Sequence, residues 1–95
     1  MEERIEEIAK ELVSIGRSLN KHVRINEITS ETQNLNRKNV NSFIENSVEA
    51  YNELVNELND IFAVERPDDV GAVNYYEISR RTNSNGEEVV TATNK

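Results

Sequence analysis

Four residues near the C-terminus carry the side chains best suited to hold a ligand or a partner: Tyr75, Tyr76, Arg80 and Arg81. Arginine grips a phosphate or carboxylate through two parallel hydrogen bonds, and tyrosine stacks on a base. Both types are enriched at the energetic centres of protein interfaces. In an assembly of several copies they can converge between subunits on a small anionic ligand such as a nucleotide. Their plainer role is as two wet arginines and two aromatics packed on a strand.

The remaining chemical groups point less clearly to a site. Asp68 and Asp69 are adjacent in a turn-like stretch, but a hard cation needs several oxygens in defined geometry. Glu2, Glu3, Glu6 and Glu7 read as a favourable helix start, and Glu87 and Glu88 as solubilising neighbours of a turn. His22 is the only histidine, and no serine stands in a nucleophile-elbow context to pair with it. With no cysteine, thiolate nucleophiles, disulfides and cysteine-bound zinc or iron–sulfur centres are excluded. No catalytic residue, metal site or cofactor is expected.

Charge narrows the partners. Eighteen acidic residues against eleven basic ones leave a net charge of −7. Direct nucleic-acid binding, which needs phosphate-neutralising Lys and Arg, is not expected. No apolar run approaches the roughly 20 residues of a membrane span. The start, MEERIEEIAKE, is acidic where a secretory signal is basic. A cytoplasmic bacterial or viral product is the expectation. Asparagine is unusually common, which a biased genome would explain.

The elements that must position these groups are two helices and a hairpin. Ile5, Ile8, Leu12, Ile15 and Leu19 alternate at three and four, the spacing of a coiled-coil seam. They predict a helix over about 2–21, with Arg17, Lys21 and His22 near its end, where the dipole favours positive charge. Gly16 costs this helix some propensity, and either admits a close neighbour or simply faces solvent. A connection follows over 22–30. Ser30 with Gln33 can form a capping box, and Leu35 is the sole apolar anchor of the polar stretch after it.

The second helix begins between 31 and 40 and ends near 64, because Pro67 cannot continue it. Val40, Phe43, Ile44, Val48, Tyr51, Leu54, Val55, Leu58, Ile61 and Phe62 form its apolar face. Its far face carries Glu45, Asn52, Asn56 and Asn59, which can stay wet. RPDDVG then reads as a turn or linker. A β-hairpin is predicted over 73–93 around Asn85-Gly86, the strongest short hairpin signal. A type I′ turn there sets Thr82 against Val89 and Arg80 against Thr91.

The fold class is thus mainly α with a C-terminal hairpin (α+β), in one small domain over 1–95. Two antiparallel helices leave half of each stripe open, so assembly into an oligomeric bundle is expected. Its interface would be Ile5, Ile8, Leu12, Ile15, Leu19, Ile44, Val48, Tyr51, Val55, Leu58 and Phe62. The competing way to cover the stripes is the tail folding back over them. Three functions compete. One is a non-enzymatic, oligomeric protein-binding module acting as inhibitor or adaptor. Another is a small anionic ligand or nucleotide binder using Arg80, Arg81, Tyr75 and Tyr76. The last is an acidic mimic of nucleic acid that blocks a DNA- or RNA-binding enzyme.

Overall fold

A computed structural model describes residues 2–28 and 36–95. Two long helices, α1 (Glu2–Ile28) and α2 (Arg37–Glu65), are followed by a 3₁₀ turn at Pro67–Asp69. Strands β1 (Tyr76–Thr82) and β2 (Glu88–Asn94) complete the chain. The class is α+β, as the hydropathy pattern predicts.

α1 is longer than its apolar stripe implies. Val23 and Asn26 are buried beyond Leu19, so the segment read as a connection is helical through Ile28. Packing of this inner face overrides the weak strand-like alternation of 22–27, because buried contacts outweigh local propensity. Arg17, Lys21 and His22 therefore lie well before the helix end, outside the last turn where the dipole acts. Ser30, Gln33 and Leu35 lie outside the described residues. Asn36 caps α2, its Oδ1 accepting the Asn39 N–H at 3.3 Å. At the other end the Arg66 N–H closes on the Phe62 carbonyl, just before Pro67.

The helices are antiparallel. Arg4 of α1 meets Glu57 of α2, whereas Asn26 near the end of α1 meets Asn41 near the start of α2. Between them the two stripes face inward. Ile8, Leu19, Ile44 and Val55 have no exposed surface, and Phe43, at the margin of its stripe, stays 37% exposed. The hairpin folds back as the third side of this core. β2 packs against both helices and β1 against α2, adding Tyr76, Val90 and Ala92 to the buried cluster. The tail thus covers the stripes within one chain.

The hairpin register is one residue from the type I′ expectation. Arg80 pairs with Val90, Arg81 with Val89 and Thr82 with Glu88. Gly86 takes φ +80 while no other residue of the turn has positive φ. A type I′ turn needs positive φ at both central residues, so the connection instead is a type I turn closed by a glycine bulge. Asn83 explains the choice: its Oδ1 accepts from the N–H groups of Asn85 and Glu87. The shift places Tyr76, Ile78, Arg80 and Thr82 on the face shared with Val90 and Ala92.

A two-stranded ribbon is marginal by itself, and asparagine amides supply what a third strand would. Asn41 accepts from the Val90 N–H at 3.1 Å and donates to the Glu88 carbonyl at 2.8 Å. Fully buried Asn26 donates to Asn41 Oδ1 at 2.9 Å and to the Val90 carbonyl at 2.8 Å. Buried Arg37 donates back to Asn26. At the open end Asn52 accepts from the Tyr76 N–H and donates to its carbonyl. Asn41 holds the outer edge of β2 and Asn52 the outer edge of β1, although both stand on α2. The strong twist of a two-stranded ribbon turns its opposite edges toward the same helix. The row Glu45, Asn52, Asn56, Asn59 is consequently the track on which the tail lies, not a wet far face.

Asn41→Leu strands the Val90 N–H, the Glu88 carbonyl and one Asn26 N–H, so urea unfolding followed by circular dichroism should show a loss of about 2–4 kcal/mol. Asn52→Ala, at a half-buried site, should cost about 1 kcal/mol. The glycines are a second check. A Cβ on Gly16 would meet Tyr51 Cε2 and the Tyr76 hydroxyl at 3.7 Å, ordinary contact. Gly16→Ala should therefore stabilise by about 0.5–1 kcal/mol. Gly86→Ala should destabilise by about 1 kcal/mol, because an L side chain resists positive φ. Asn85→Gly should bring no gain, which a type I′ turn would not predict.

Candidate functional site

The four tail residues do not form one site. Successive strand side chains point to opposite faces, which separates Arg80 from Arg81. Arg80 turns toward α2, pairing with Glu45 at 2.8 Å and lying 3.9 Å from Glu88. Arg81 is exposed on the other face. Tyr76 is buried edge-on against Tyr51, with ring centroids 4.7 Å apart, and its hydroxyl donates to Asn20 at 2.9 Å. The Tyr75 hydroxyl donates to Asn56 at 2.5 Å and accepts from Asn59 at 3.5 Å. Three of the four are thus committed to holding the tail on α2 and α1. Burial pushes the Tyr51 phenol above its ordinary value, with Tyr76 adding to the shift against a bond from Asn94. It stays protonated and is no activated nucleophile.

The stripe residues assigned to an oligomer interface are the inside of one chain. Ile5, Ile8, Leu12, Leu19, Ile44, Val48, Tyr51, Val55, Leu58 and Phe62 are buried by α1, α2 and the hairpin, and Ile15 is half-buried. The apolar surface that would drive bundle assembly is already out of water, so a second copy gains nothing from it.

A surface that sequence reasoning passed over is the outward face of α1. Lys10, Arg17, Lys21 and Arg24 are spaced by seven, four and three, which places them on one side of the helix, opposite the core stripe. The stripe runs about 21 Å at 1.5 Å per residue. All four are exposed, and none forms an ion pair with a described carboxylate. Five other cations differ: Arg4, Arg37, Arg66, Arg80 and Lys95 each lie within 4.0 Å of a glutamate, while Lys38 and Arg81 stand apart from the described carboxylates as the α1 row does. Arg17 and Lys21, four apart, repel each other. No acidic residue occurs from 12 to 26, and that gap was the available signal. A shallow groove along this face is lined by Lys10, Val13, Ser14, Arg17, Ser18, Lys21 and His22. Val13 is 53% exposed. The His22 ring stacks on Phe43 at 3.9 Å, its Nδ1 lying 2.7 Å from the Ser18 carbonyl.

Glu6 stands one turn before Lys10 on the same side of α1, and the carboxylates held in ion pairs lie elsewhere. Glu2 pairs with Arg66, and Glu57 accepts two bonds from Arg4 at 2.6 and 2.7 Å. Asp68 and Asp69 sit in the 3₁₀ turn. Among the described residues no three histidine or carboxylate side chains converge as a metal ion would require. No described helix is long and apolar enough to cross a membrane. No protein-family model, curated protein or solved structure matches this chain.

The Arg4 hydrogen bonds hold the Glu57 carboxyl below its ordinary 4.5, partly opposed by desolvation. A carboxyl depressed in the folded state adds stability above its unfolded pKa and loses it as pH falls through the folded value. Between pH 4.5 and the folded value, wild-type stability should therefore fall more steeply than that of Glu57→Gln. Equal slopes in paired denaturant titrations would mean that the fork is not occupied in solution.

Proposed function

We propose that this chain is a non-enzymatic, cytoplasmic protein-binding module, an inhibitor or adaptor. The surface it presents is the basic face of α1, and its target is an acidic protein. The observation that carries this is the row Lys10, Arg17, Lys21, Arg24 standing exposed on a helix of a chain with net charge −7. Like charges at helical spacing cost stability, and no ion pair with a described carboxylate offsets that cost at Arg17, Lys21 or Arg24. Charge of one sign along a helix steers and orients an oppositely charged partner. Val13 and the His22–Phe43 stack add apolar and aromatic contact beside it, the mixture found at interface anchors. The mimic of nucleic acid is less well supported, since Glu2, Glu45, Glu57, Glu77, Glu87 and Glu88 are all engaged by cations.

A second reading is a small anionic ligand. Ser14 and Ser18 line the same groove as Lys10, Arg17 and Lys21, and such a mixture of side chains suits a phosphate. The site then lies on α1 rather than at Arg80 and Arg81.

The fourfold variant Lys10→Gln, Arg17→Gln, Lys21→Gln, Arg24→Gln separates these roles. It should unfold at the same or slightly higher urea concentration than wild type, because repulsion is relieved. Capture from an extract of the source cells should retain an acidic protein on wild type, released by salt, and none on the variant. Retention of the same proteins by the variant would reject the α1 surface. Calorimetric titration with nucleotides decides for the small ligand if heat appears with wild type and vanishes in the variant.

A further inference from the structure

The two edges of the hairpin are finished differently. In an antiparallel ladder alternate residues turn their N–H and C=O to the same side. The Lys95 N–H donates to the Tyr75 carbonyl and the Asn83 N–H to Glu87, so the odd-numbered residues of β1 bond β2. Tyr76, Ile78, Arg80 and Thr82 point their main-chain groups outward. Asn52 takes those of Tyr76. Among the described residues nothing bonds those of Ile78, Arg80 or Thr82, and β1 is an edge of a two-stranded sheet. On the outer edge of β2, by contrast, Asn26 and Asn41 take the Glu88 carbonyl and both groups of Val90. A bare edge is a template for another strand.

We propose that two copies of the chain join at this edge, β1 to β1, antiparallel about a twofold axis through Ser79, to give a four-stranded sheet β2–β1–β1–β2. Three constraints select that register. Bonded pairs must use the outward residues 78, 80 and 82. An axis on Arg80 sets Arg80 against itself, and like charges directly opposite are unfavourable. An axis on Ile78 sets Arg80 against Tyr76, whose groups Asn52 already holds, and leaves Ile78 against itself as the one bonded pair, whereas the axis on Ser79 loses only Thr82 against Tyr76 and keeps two bonded pairs. The axis on Ser79 bonds Ile78 to the partner subunit's Arg80 and sets Glu77 opposite the partner subunit's Arg81, twice by symmetry.

The segment Glu77-Ile78-Ser79-Arg80-Arg81 is thus complementary in charge to its own antiparallel copy, which is what commits the edge to self-pairing. Arg81 is exposed with no described carboxylate beside it. Glu77 meets only Lys95, an exposed pair of small worth. Of the helices, α1 packs against β2 and not against β1, and α2 bonds the outer main chain of β1 only at Tyr76, through Asn52. This surface is separate from the outward face of α1, so each can fail without the other.

The chain has no cysteine, so Ser79→Cys carries a single thiol. At a non-bonded antiparallel pair the two Cα atoms lie about 4.5 Å apart, within disulfide reach. Mild oxidation of Ser79→Cys should yield a disulfide dimer quickly. Thr93→Cys is the control, exposed on β2 opposite Glu77 and one strand further from the axis, and it should couple only slowly. Wild type should sediment at twice 10.9 kDa. Arg81→Glu should sediment as a monomer with an unchanged circular dichroism spectrum, and Glu77→Arg/Arg81→Glu should regain the dimer. A wild-type chain that remains monomeric into the millimolar range overturns the proposal. So does equal coupling of the two cysteine variants, and so does a charge-swapped chain that stays monomeric.

Discussion

The fold depends on a primary amide standing in for a peptide group. Asn41 presents one acceptor and one donor to β2, and Val90 and Glu88 answer with one N–H and one C=O. Asn26 extends the same edge and is tied to α2 through Asn41 and Arg37. Leaving such groups unpaired in the interior costs about 1–3 kcal/mol each. The network therefore tolerates only one position of the hairpin along the helices. An apolar patch alone would let a two-stranded ribbon slide, since hydrophobic burial has no direction. Here burial of Tyr76, Val90 and Ala92 supplies driving force and the amides supply register, much as one buried asparagine sets register in a coiled coil.

The same division of labour runs along the length of the molecule. At one end of the helical pair stands the buried network of Asn26, Asn41 and Arg37. At the other, exposed ion pairs join Arg4 to Glu57 and Arg66 to Glu2. Exposed pairs contribute little individually, so these align the helices more than they hold them. The linker after α2 is held similarly. Asn59 accepts from the Gly71 N–H and Tyr75 is bridged to Asn56 and Asn59, which sets the point at which β1 departs. An asparagine-rich composition thus becomes a structural device, with amides set wherever irregular backbone or a strand edge meets a helix.

How far this was legible from the residues depended on whether the signal was periodic or pairwise. The apolar stripes, the stop at Pro67 and the turn near Gly86 follow from spacing and backbone chemistry, and they give the α+β class. What misled was reading polarity as exposure. Asn26 continues the seven-residue row Ile5, Leu12, Leu19, and Asn41 begins the row that Val48, Val55 and Phe62 continue. Both sit where a core residue is due, and a polar residue there signals a buried bond. Glu45, Asn52 and Asn59 keep the same spacing along the flank that receives β1. Which partner each amide would find is a long-range pairing, and no local pattern encodes it. The hairpin register failed for a related reason: the Asn83 side chain, not the Asn85-Gly86 dipeptide, selects the turn.

That thoroughness gives meaning to the two places where it stops. In the buried network and at Glu88 and Val90 on the outer edge of β2, polar groups find partners even at the cost of burying an arginine. On the outward face of α1 and the outer edge of β1 they do not. The helix carries like charges at mutually repelling spacing, and the strand shows unbonded main chain to solvent. Places where a sequence breaks the local rules it otherwise keeps are where function is to be sought, and the two proposals start there. The two surfaces differ in kind, one a charged convex helix and the other a flat backbone edge with self-complementary side chains. The occupants proposed for them differ accordingly: a charge-steered foreign partner on the helix and a second copy on the strand. Because neither surface draws on the core, neither the proposed pairing nor the proposed binding is needed to cover the apolar stripes, which the hairpin already does.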